Sequence, residues 1–307
     1  MSLLRSSVAA STARVYSSHQ HRFIEFCHRF QCSPLPASEV TRLRFMSESA
    51  ARGLGFSSIS AHLAAVRHLH VIAGLASPLD GALRITLAMR ALKRSSGAPR
   101  KRSPITFQLL ERMGTLVDKR EFDDLRFWAA ATTAFFGFLR VSEFTVEGQF
   151  DASTDLSLND LTFSDGAAHI RLKTSKTDQL RAGVTIHLGA TGGAVCPVNA
   201  LREFVSARGP APGPLFTDEW GLPPTRAWLT SRLVDVMSRL GVEGDFTSHS
   251  FRIGAATTAA ANGIPDHLIK VMRRWSSDAY RTYIRTPVPH ICSLSRSLVV
   301  RQFSSCP

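Results

Sequence analysis

The sequence lacks the features that mark several common protein classes. No run of about 18 consecutive apolar residues occurs, and the opening stretch MSLLRSSVAASTARVY has no apolar core of the length that a secretory signal requires. The five cysteines are scattered and form no C-x-x-C pair, which argues against a disulfide framework and against a zinc ribbon. We therefore expect a soluble intracellular protein with reduced thiols, placed in the nucleus if the host is a eukaryote and in the cytoplasm or nucleoid otherwise.

Acidic residues are scarce in the first third of the chain. The whole sequence has 37 lysines and arginines against 24 acidic residues, a net charge of +13. Residues 1–104 contain 15 of these basic residues and four acidic ones, a surplus of 11, whereas the remainder has 22 against 20. A surplus of this size favours a polyanionic partner, and nucleic acid is the first candidate.

A length of 307 residues favours two domains. Apolar residues at helical spacing predict four helices in the first hundred residues, beginning near Ser11, Ser38, Ser57 and Asp80. The segment RSSGAPRKRSP that follows combines glycine, proline, serine and cations, as linkers do. We therefore place a helical domain at residues 1–101 and a second domain at 102–307.

The second domain is predicted to be mixed but mostly helical. Helices are expected near 106–117, 122–138 and 199–208, and several more between 225 and 302, broken by Gly241, Gly263 and Pro287. Three stretches favour strands with turns between them, LSLNDLTFS, AAHIRLKTSK and AGVTIHLG. The fold class expected is mainly α (α+β), with one small antiparallel sheet.

Six residues that suit chemistry on a phosphate occur in four separated motifs. The motifs are FFGFLRVSEF, LKTSKTDQ, SHSFRIGAATT and RRWSSDAYRTYIRTP, and the six residues are Arg140, Lys176, His249, Arg252, Trp275 and Tyr283. Their order resembles the active-site pattern of tyrosine recombinases, the phage-integrase family. The amino-acid sequence of the motifs is most similar to the eukaryotic mobile-element branch of Crypton or DIRS type. The resemblance implies a DNA breaking-rejoining catalytic domain after an N-terminal core-binding, SAM-like helical bundle.

The chemistry implied by this resemblance suits the residue types. Two guanidiniums, Arg140 and Arg252, can hold the charge that develops on a phosphodiester through paired hydrogen bonds. His249 can act as a base toward a tyrosine hydroxyl. The resemblance assigns Tyr283 as nucleophile, Lys176 as general acid and Trp275 as a donor to the phosphate. No carboxylate cluster for Mg²⁺ is evident, so no metal or other cofactor is expected.

Two assignments have rivals, and one neighbour has a supporting role. The family tyrosine comes about nine residues after the tryptophan position, but Tyr283 comes eight after Trp275, which leaves Tyr280 as an alternative nucleophile. Lys173 is the alternative to Lys176. Glu143, three residues after Arg140, is expected to orient that guanidinium.

The basic residues of the first domain and the linker are candidates for binding double-stranded DNA. They are Arg67, Arg94, Arg100, Lys101 and Arg102, and the last three could also form a nuclear-import signal. His62, His68 and His70 are expected to face solvent or phosphate. The histidines and cysteines between residues 19 and 32 fit no common zinc spacing, so no metal site is predicted there.

The stretch HICSLSRSLVVRQ at 290–302 predicts an amphipathic helix. It could pack on its own domain, or insert into a neighbouring protomer as a comparable element often does in the family. We expect self-assembly, from dimer to tetramer, on paired DNA sites. The alternatives to an active recombinase are an inactive DNA-binding protein of the same fold and a relaxing enzyme similar to topoisomerase IB.

Overall fold

The computed structural model describes residues 7–97, 102–174, 183–272 and 274. The chain divides into two compact units, Met1–Arg100 and Lys101–Pro307, each with its own hydrophobic core. In the described ranges no helix has both the length and the apolar character needed to cross a membrane.

The first unit consists of helices in its described part. They are α1 (Ala10–Arg29), α2 (Glu39–Ala51), α3 (Phe56–Ile72) and α4 (Leu83–Ser95). The Ser38 side chain begins α2 by accepting a hydrogen bond of 3.0 Å from the Thr41 backbone N–H. All four predicted helices are present, and α4 continues to Ser95, so the first residues of the predicted linker are helical.

An aromatic cluster holds α1 against its neighbours. Phe23 and Phe26 of α1 are buried with Phe45 of α2 and Val66 of α3. Phe30 continues the three- and four-residue spacing of Phe23 and Phe26 and would be expected on the same face, but it is 50% exposed. Phe30 follows the last residue of the helix, and the face therefore ends one turn earlier.

The prediction that three histidines face solvent or phosphate is wrong for two of them. His70 is buried, accepts a hydrogen bond of 2.9 Å at Nε2 from the Ala37 backbone N–H, and has Nδ1 at 2.8 Å from the Val66 carbonyl. Because Nε2 accepts and the Val66 carbonyl can only accept, the ring proton is on Nδ1. The imidazole of His70 therefore links the backbone at Ala37 to α3. His62 is also buried, and burial lowers its pKa to about 4.

The described part of the second unit contains six α-helices and two 3₁₀ turns. They are α5 (Phe107–Gly114), α6 (Phe122–Phe136), a turn at Val141–Glu143, a turn at Leu158–Asp160, α7 (Pro197–Arg208), α8 (Arg226–Arg239), α9 (His249–Ala261) and α10 (Asp266–Met272). Every residue of α6 from Leu125 to Phe135 is buried, because α7 and α9 pack against it.

A three-stranded antiparallel sheet lies in the same unit. Its strands are β1 (Leu161–Ser164), β2 (Ala167–Leu172) and β3 (Val184–Gly189), in the order β1-β2-β3, with Ile170 opposite Ile186. The sheet is as predicted, but β1 is shorter. Asp160 accepts hydrogen bonds from the Ser157 backbone N–H at 2.8 Å and its hydroxyl at 2.6 Å, which makes a 3₁₀ turn where a longer strand was expected.

The chain at the start of α5 is hydrogen-bonded to α9. The Ile105 backbone N–H donates to the Ser250 carbonyl at 3.0 Å, and the Phe107 N–H donates to the Thr258 hydroxyl at 3.1 Å. A Cβ built on Gly254 would lie 1.7 Å from the Ile105 carbonyl oxygen, so only glycine permits this approach. The fold is therefore mostly helical with one small antiparallel sheet, as the sequence predicts.

Candidate active site

The turn after α6 places the first candidate arginine. The helix stops at Gly137, and Phe138 has φ of 48°, in the left-handed region that side chains rarely adopt. Arg140 then precedes the 3₁₀ turn Val141–Glu143. The Glu143 carboxylate accepts from the Arg140 backbone N–H at 2.8 Å and from Arg140 Nη1 at 2.9 Å. The expected contact is therefore present, and it fixes both the backbone and the guanidinium of Arg140.

Arg252 reaches the same turn from α9. Its side chain is almost completely buried, with 1% of the residue exposed. Its Nη1 donates to the Phe138 carbonyl oxygen. A buried guanidinium needs such acceptors, because an unpaired buried charge carries a large desolvation cost.

A third arginine, which the sequence analysis did not single out, lies at the same place. Arg274 Nη2 donates to Glu143 Oε2 at 2.7 Å and lies 3.4 Å from the Phe138 carbonyl oxygen. Burial lowers the pKa of Arg274, Glu143 raises it and Arg140 lowers it, with burial the largest effect. The sequence signal that could have identified it is its place directly before Trp275 in the RRW motif.

The structure thus brings together three arginines and one carboxylate. Glu143 joins Arg140 to Arg274, and the Phe138 carbonyl joins Arg274 to Arg252. The turn that carries Arg140 and Glu143 is more than a hundred residues from Arg252 and Arg274 in sequence. Arg252 reaches this turn because α9 packs on α6. Such a cluster suits an anion with several oxygens, because guanidiniums donate in fixed planar pairs.

His249 lies one turn before Arg252, at the beginning of α9. The turn Thr247–Ser250 forms this helix start, with the Ser250 N–H donating to the Thr247 carbonyl at 2.8 Å and the Thr247 N–H donating to the Ser250 hydroxyl at 3.0 Å. His249 is partly exposed, and its backbone N–H lies 3.3 Å from the Thr247 hydroxyl oxygen. A partly exposed imidazole at this position can face a ligand that the arginines hold.

Lys173 has structural partners. Its ammonium donates to the Asp160 carboxylate, to the Asp155 carbonyl at 3.0 Å and to the Ser157 hydroxyl at 3.2 Å. Asp160 is buried, so Lys173 neutralises a charge that would otherwise be costly. These three contacts occupy the three protons of the ammonium.

The remaining predicted residues divide into two groups. Arg67 on α3, Arg94 on α4 and Arg102 are exposed. The others lie outside the described residues, as does the helix predicted at 290–302, and they are Lys176, Trp275, Tyr280, Tyr283, Arg100 and Lys101.

The sequence was compared with family models and with known proteins. No family model matches the chain. The chain is 28% identical over 288 residues to an integrase/recombinase xerD homolog of Selenomonas ruminantium, a match that covers 90% of this chain and 81% of that protein.

Several solved structures have a similar fold. The Tn1549 transposon integrase in complex with transposon right end DNA matches with a TM-score of 0.66, 13% identity and 96% coverage of each chain. The XerH site-specific recombinase bound to a palindromic difH substrate matches with a TM-score of 0.62, 16% identity, and coverage of 94% of this chain and 80% of that chain. A lambda integrase dimer bound to a COC′ core site matches with a TM-score of 0.56, 17% identity, and coverage of 92% and 91%.

The findings support the resemblance to tyrosine recombinases and integrases that the motifs suggest. The fold is that of the integrase structures, and one relative in sequence is an integrase/recombinase. The narrower resemblance to Crypton or DIRS elements remains a prediction.

Proposed function

We propose that this chain is a tyrosine site-specific recombinase that cuts and rejoins DNA strands through a covalent 3′-phosphotyrosine. The observation that carries the proposal is the meeting of Arg140 and Arg252 at one turn, with Glu143 fixing the first guanidinium. Two converging guanidiniums in a buried setting stabilise a phosphodiester under attack more strongly than exposed cations do.

In the proposed reaction the Tyr283 hydroxyl oxygen attacks the scissile phosphorus. His249 takes the phenolic proton, and the bond from phosphorus to the 5′-oxygen breaks as that oxygen takes a proton from Lys176. Arg140, Arg252 and Trp275 hold the non-bridging oxygens. Rejoining is the reverse, with a 5′-hydroxyl from another strand as nucleophile, so the bond energy is conserved.

Lys176 is the proposed acid because its rival is occupied. Lys173 balances the buried Asp160 and donates to two further oxygens, so releasing it toward a substrate would leave that carboxylate unpaired. A lysine that must give up a proton and take it back is better placed without such a partner. Lys176, which lies in the sequence between β2 and β3, is therefore the proposed acid.

Duplex DNA is the proposed partner. Residues 1–104 account for +11 of the net charge of +13, and the exposed Arg67 and Arg94 of the first unit suit phosphate contacts. The XerH and lambda integrase structures contain DNA, and the lambda protein is a dimer on its core site. We extend this to the present chain as self-assembly on paired sites, with residues 290–302 as the element exchanged between protomers.

The test begins by finding a site. The purified protein is incubated in EDTA with genomic DNA of its source, covalent complexes are trapped with detergent, and the attached DNA is sequenced. A duplex with the recovered site and a nick just beyond the scissile phosphate then serves as a suicide substrate, because the short product diffuses away and rejoining fails. We expect a protein–DNA adduct on a denaturing gel without any added metal.

Two tyrosine variants identify the nucleophile. Tyr283→Phe should abolish the adduct with little change in DNA affinity, because the hydroxyl is the nucleophile and adds little to binding. Tyr280→Phe is the matched control and should retain the adduct. The reverse pattern would transfer the role to Tyr280, and binding without an adduct in the unchanged protein would favour the inactive DNA-binding alternative. Relaxation of supercoils without exchange between duplexes would favour the topoisomerase-like alternative.

A further inference from the structure

Arg140 and Arg274 share one carboxylate. Both guanidiniums donate to Glu143, and no other carboxylate among the described residues is bonded to either of them. Two positive groups against one negative group leave a formal surplus of one charge. A phosphodiester carries one negative charge, and its five-coordinate transition state approaches two.

Arg274 is bonded through one of its three nitrogens. Nη2 contacts Glu143 and the Phe138 carbonyl, whereas Nε and Nη1 are buried and have no hydrogen-bond partner among the described residues. Buried N–H groups are nearly always paired, and a charged donor left unpaired is especially costly. Nη1 lies at the tip of the side chain, where an oxygen of a bound anion would satisfy it.

Two residues of the cluster have an unusual backbone. Phe138 has φ of 48° and Arg274 has φ of 54°, both in the region that favours glycine. The strained Phe138 conformation accompanies a carbonyl oxygen that lies within reach of Arg252 and Arg274. Arg274 directly precedes Trp275 in the sequence, and in this backbone conformation its side chain reaches Glu143. A strained backbone conformation persists only where many surrounding contacts hold it in place, and such residues are most common at functional sites.

We propose that Arg274 is a third guanidinium of the phosphate pocket, which holds Glu143 with Nη2 and donates from Nη1 to a non-bridging oxygen of the scissile phosphodiester. The inference rests on the proposed function and adds to it a charge that neither Arg140 nor Arg252 supplies. Arginine suits both tasks at once, because its planar fork can engage a carboxylate on one edge and a phosphate on the other. Lysine offers one nitrogen and cannot reproduce the paired planar geometry of the guanidinium.

The first test measures cleavage of the suicide substrate by Arg274→Gln and Arg274→Lys. Glutamine keeps an amide donor for Glu143 without the charge, and we expect single-turnover cleavage to fall by about 100-fold, the scale for losing one preorganised donor. Lysine should recover part of the loss. Arg239→Ala, at an arginine on α8 whose side chain is 47% exposed, is the control and should cleave at the normal rate.

A charge-neutral substrate separates contact with the phosphate from a structural role. When a methyl group replaces one non-bridging oxygen at the scissile position, the transition state carries one negative charge less. The difference in rate between the unchanged protein and Arg274→Gln should shrink to a few-fold on this substrate. A difference that stays the same on both substrates would contradict the proposal.

The Glu143→Gln background tests whether Arg274 only neutralises Glu143. In that case Arg274→Gln would have no further effect once the carboxylate is gone. We expect the loss of cleavage to persist in this background, because the phosphate still needs the third guanidinium. Disappearance of the loss would make Arg274 a structural counter-ion and overturn the contact with phosphate.

Binding of inorganic phosphate to the full-length protein supplies a readout that needs no DNA. By titration calorimetry at matched ionic strength, we expect Arg274→Gln to weaken phosphate binding at least about 5-fold, since a third donor is lost, while Arg239→Ala has no effect. Weaker binding without any adduct from the unchanged protein would uphold the pocket and reject the recombinase proposal. Normal cleavage and phosphate binding in the variant would reject the pocket role alone.

Discussion

Glu143 and Arg274 form an ion pair of 2.7 Å between Oε2 and Nη2 across 131 residues of sequence. The carboxylate side chain is 2% exposed and the guanidinium side chain 13%. Because Glu143 also holds Arg140 by two hydrogen bonds, the pair links the turn after α6 to the residue before Trp275.

Arg140→Ala and Arg252→Ala should each reduce cleavage of the suicide substrate by at least about 100-fold, because each removes a preorganised donor to the developing charge. Lysine replacements should restore only part of the activity, since one ammonium cannot reproduce the paired geometry. Single-turnover gels measure the rates, and circular dichroism verifies folding. Full cleavage by either alanine variant would remove that residue from the site.

Lys173→Ala should mainly affect stability, whereas Lys176→Ala should mainly affect cleavage. Lys173→Ala should lower the free energy of unfolding by about 3 kcal/mol, the scale for breaking a buried pair, because Asp160 loses its counter-ion. Lys176→Ala should leave stability unchanged and slow cleavage. A bridging sulfur in place of the 5′-oxygen should restore cleavage by Lys176→Ala, since a thiolate leaves without a proton. Rescue of Lys173→Ala instead would reverse the two assignments.

Exposed arginines of the first unit should control the salt dependence of DNA binding. Arg67→Ala and Arg94→Ala should each reduce the slope of log affinity against log salt by about one, the value expected for one lost phosphate contact. Arg120→Ala is the comparison, because that exposed arginine in the second unit is already paired with Asp118 at 2.8 Å. Fluorescence anisotropy over a series of salt concentrations gives the slopes, and equal slopes for all three variants would argue against a DNA contact at Arg67 and Arg94.

His62 should make the first unit sensitive to acid. Burial, together with the nearby His19, lowers the pKa of His62 from 6.5 to about 4. Between these values the unfolded chain binds a proton that the folded chain excludes, so stability is complete above pH 6.5 and falls as the pH decreases toward 4. Urea unfolding should show a loss of roughly 1–3 kcal/mol over that range.

The matched variants for this acid sensitivity are His62→Leu and His21→Leu. The first removes the buried imidazole and should flatten the decrease in stability between pH 6.5 and 4. The second removes a histidine whose side chain is 75% exposed and should leave the decrease intact. An unchanged pH profile in His62→Leu would show that another group causes it.

Gly254→Ala should destabilise the second unit. The added Cβ would lie 1.7 Å from the Ile105 carbonyl oxygen, and the backbone must move to make room, at a cost of about 2 kcal/mol or more. Gly189→Ala, where nothing lies within 4 Å, should change stability by less than about 0.5 kcal/mol. Thermal unfolding of both variants measures the difference. Equal melting temperatures would show that the backbone at Ile105 can move away from the added Cβ at little cost in stability.

Short-range patterns along the chain were enough to predict the local structure and the residue types of the candidate site. Helical spacing predicted α1 to α4, alternation and turn residues predicted the sheet, and the ordered motifs predicted that Arg140 and Arg252 act together and that Glu143 orients Arg140. These features depend on short segments, where periodicity, capping residues and motif spacing report directly on the backbone.

Which polar groups share an environment depends on contacts between segments that are distant in sequence. Burial of His62 and His70 depends on how α1 and α3 pack, the capping of a 3₁₀ turn by Asp160 shortened β1, and the partners of Lys173 come from a segment before the sheet. Arg274 joined the cluster because Glu143 is buried beside it, although the two are 131 residues apart. Burial and long-range pairing set the energy of a charge, and neither is a property of the spacing between residues along the chain.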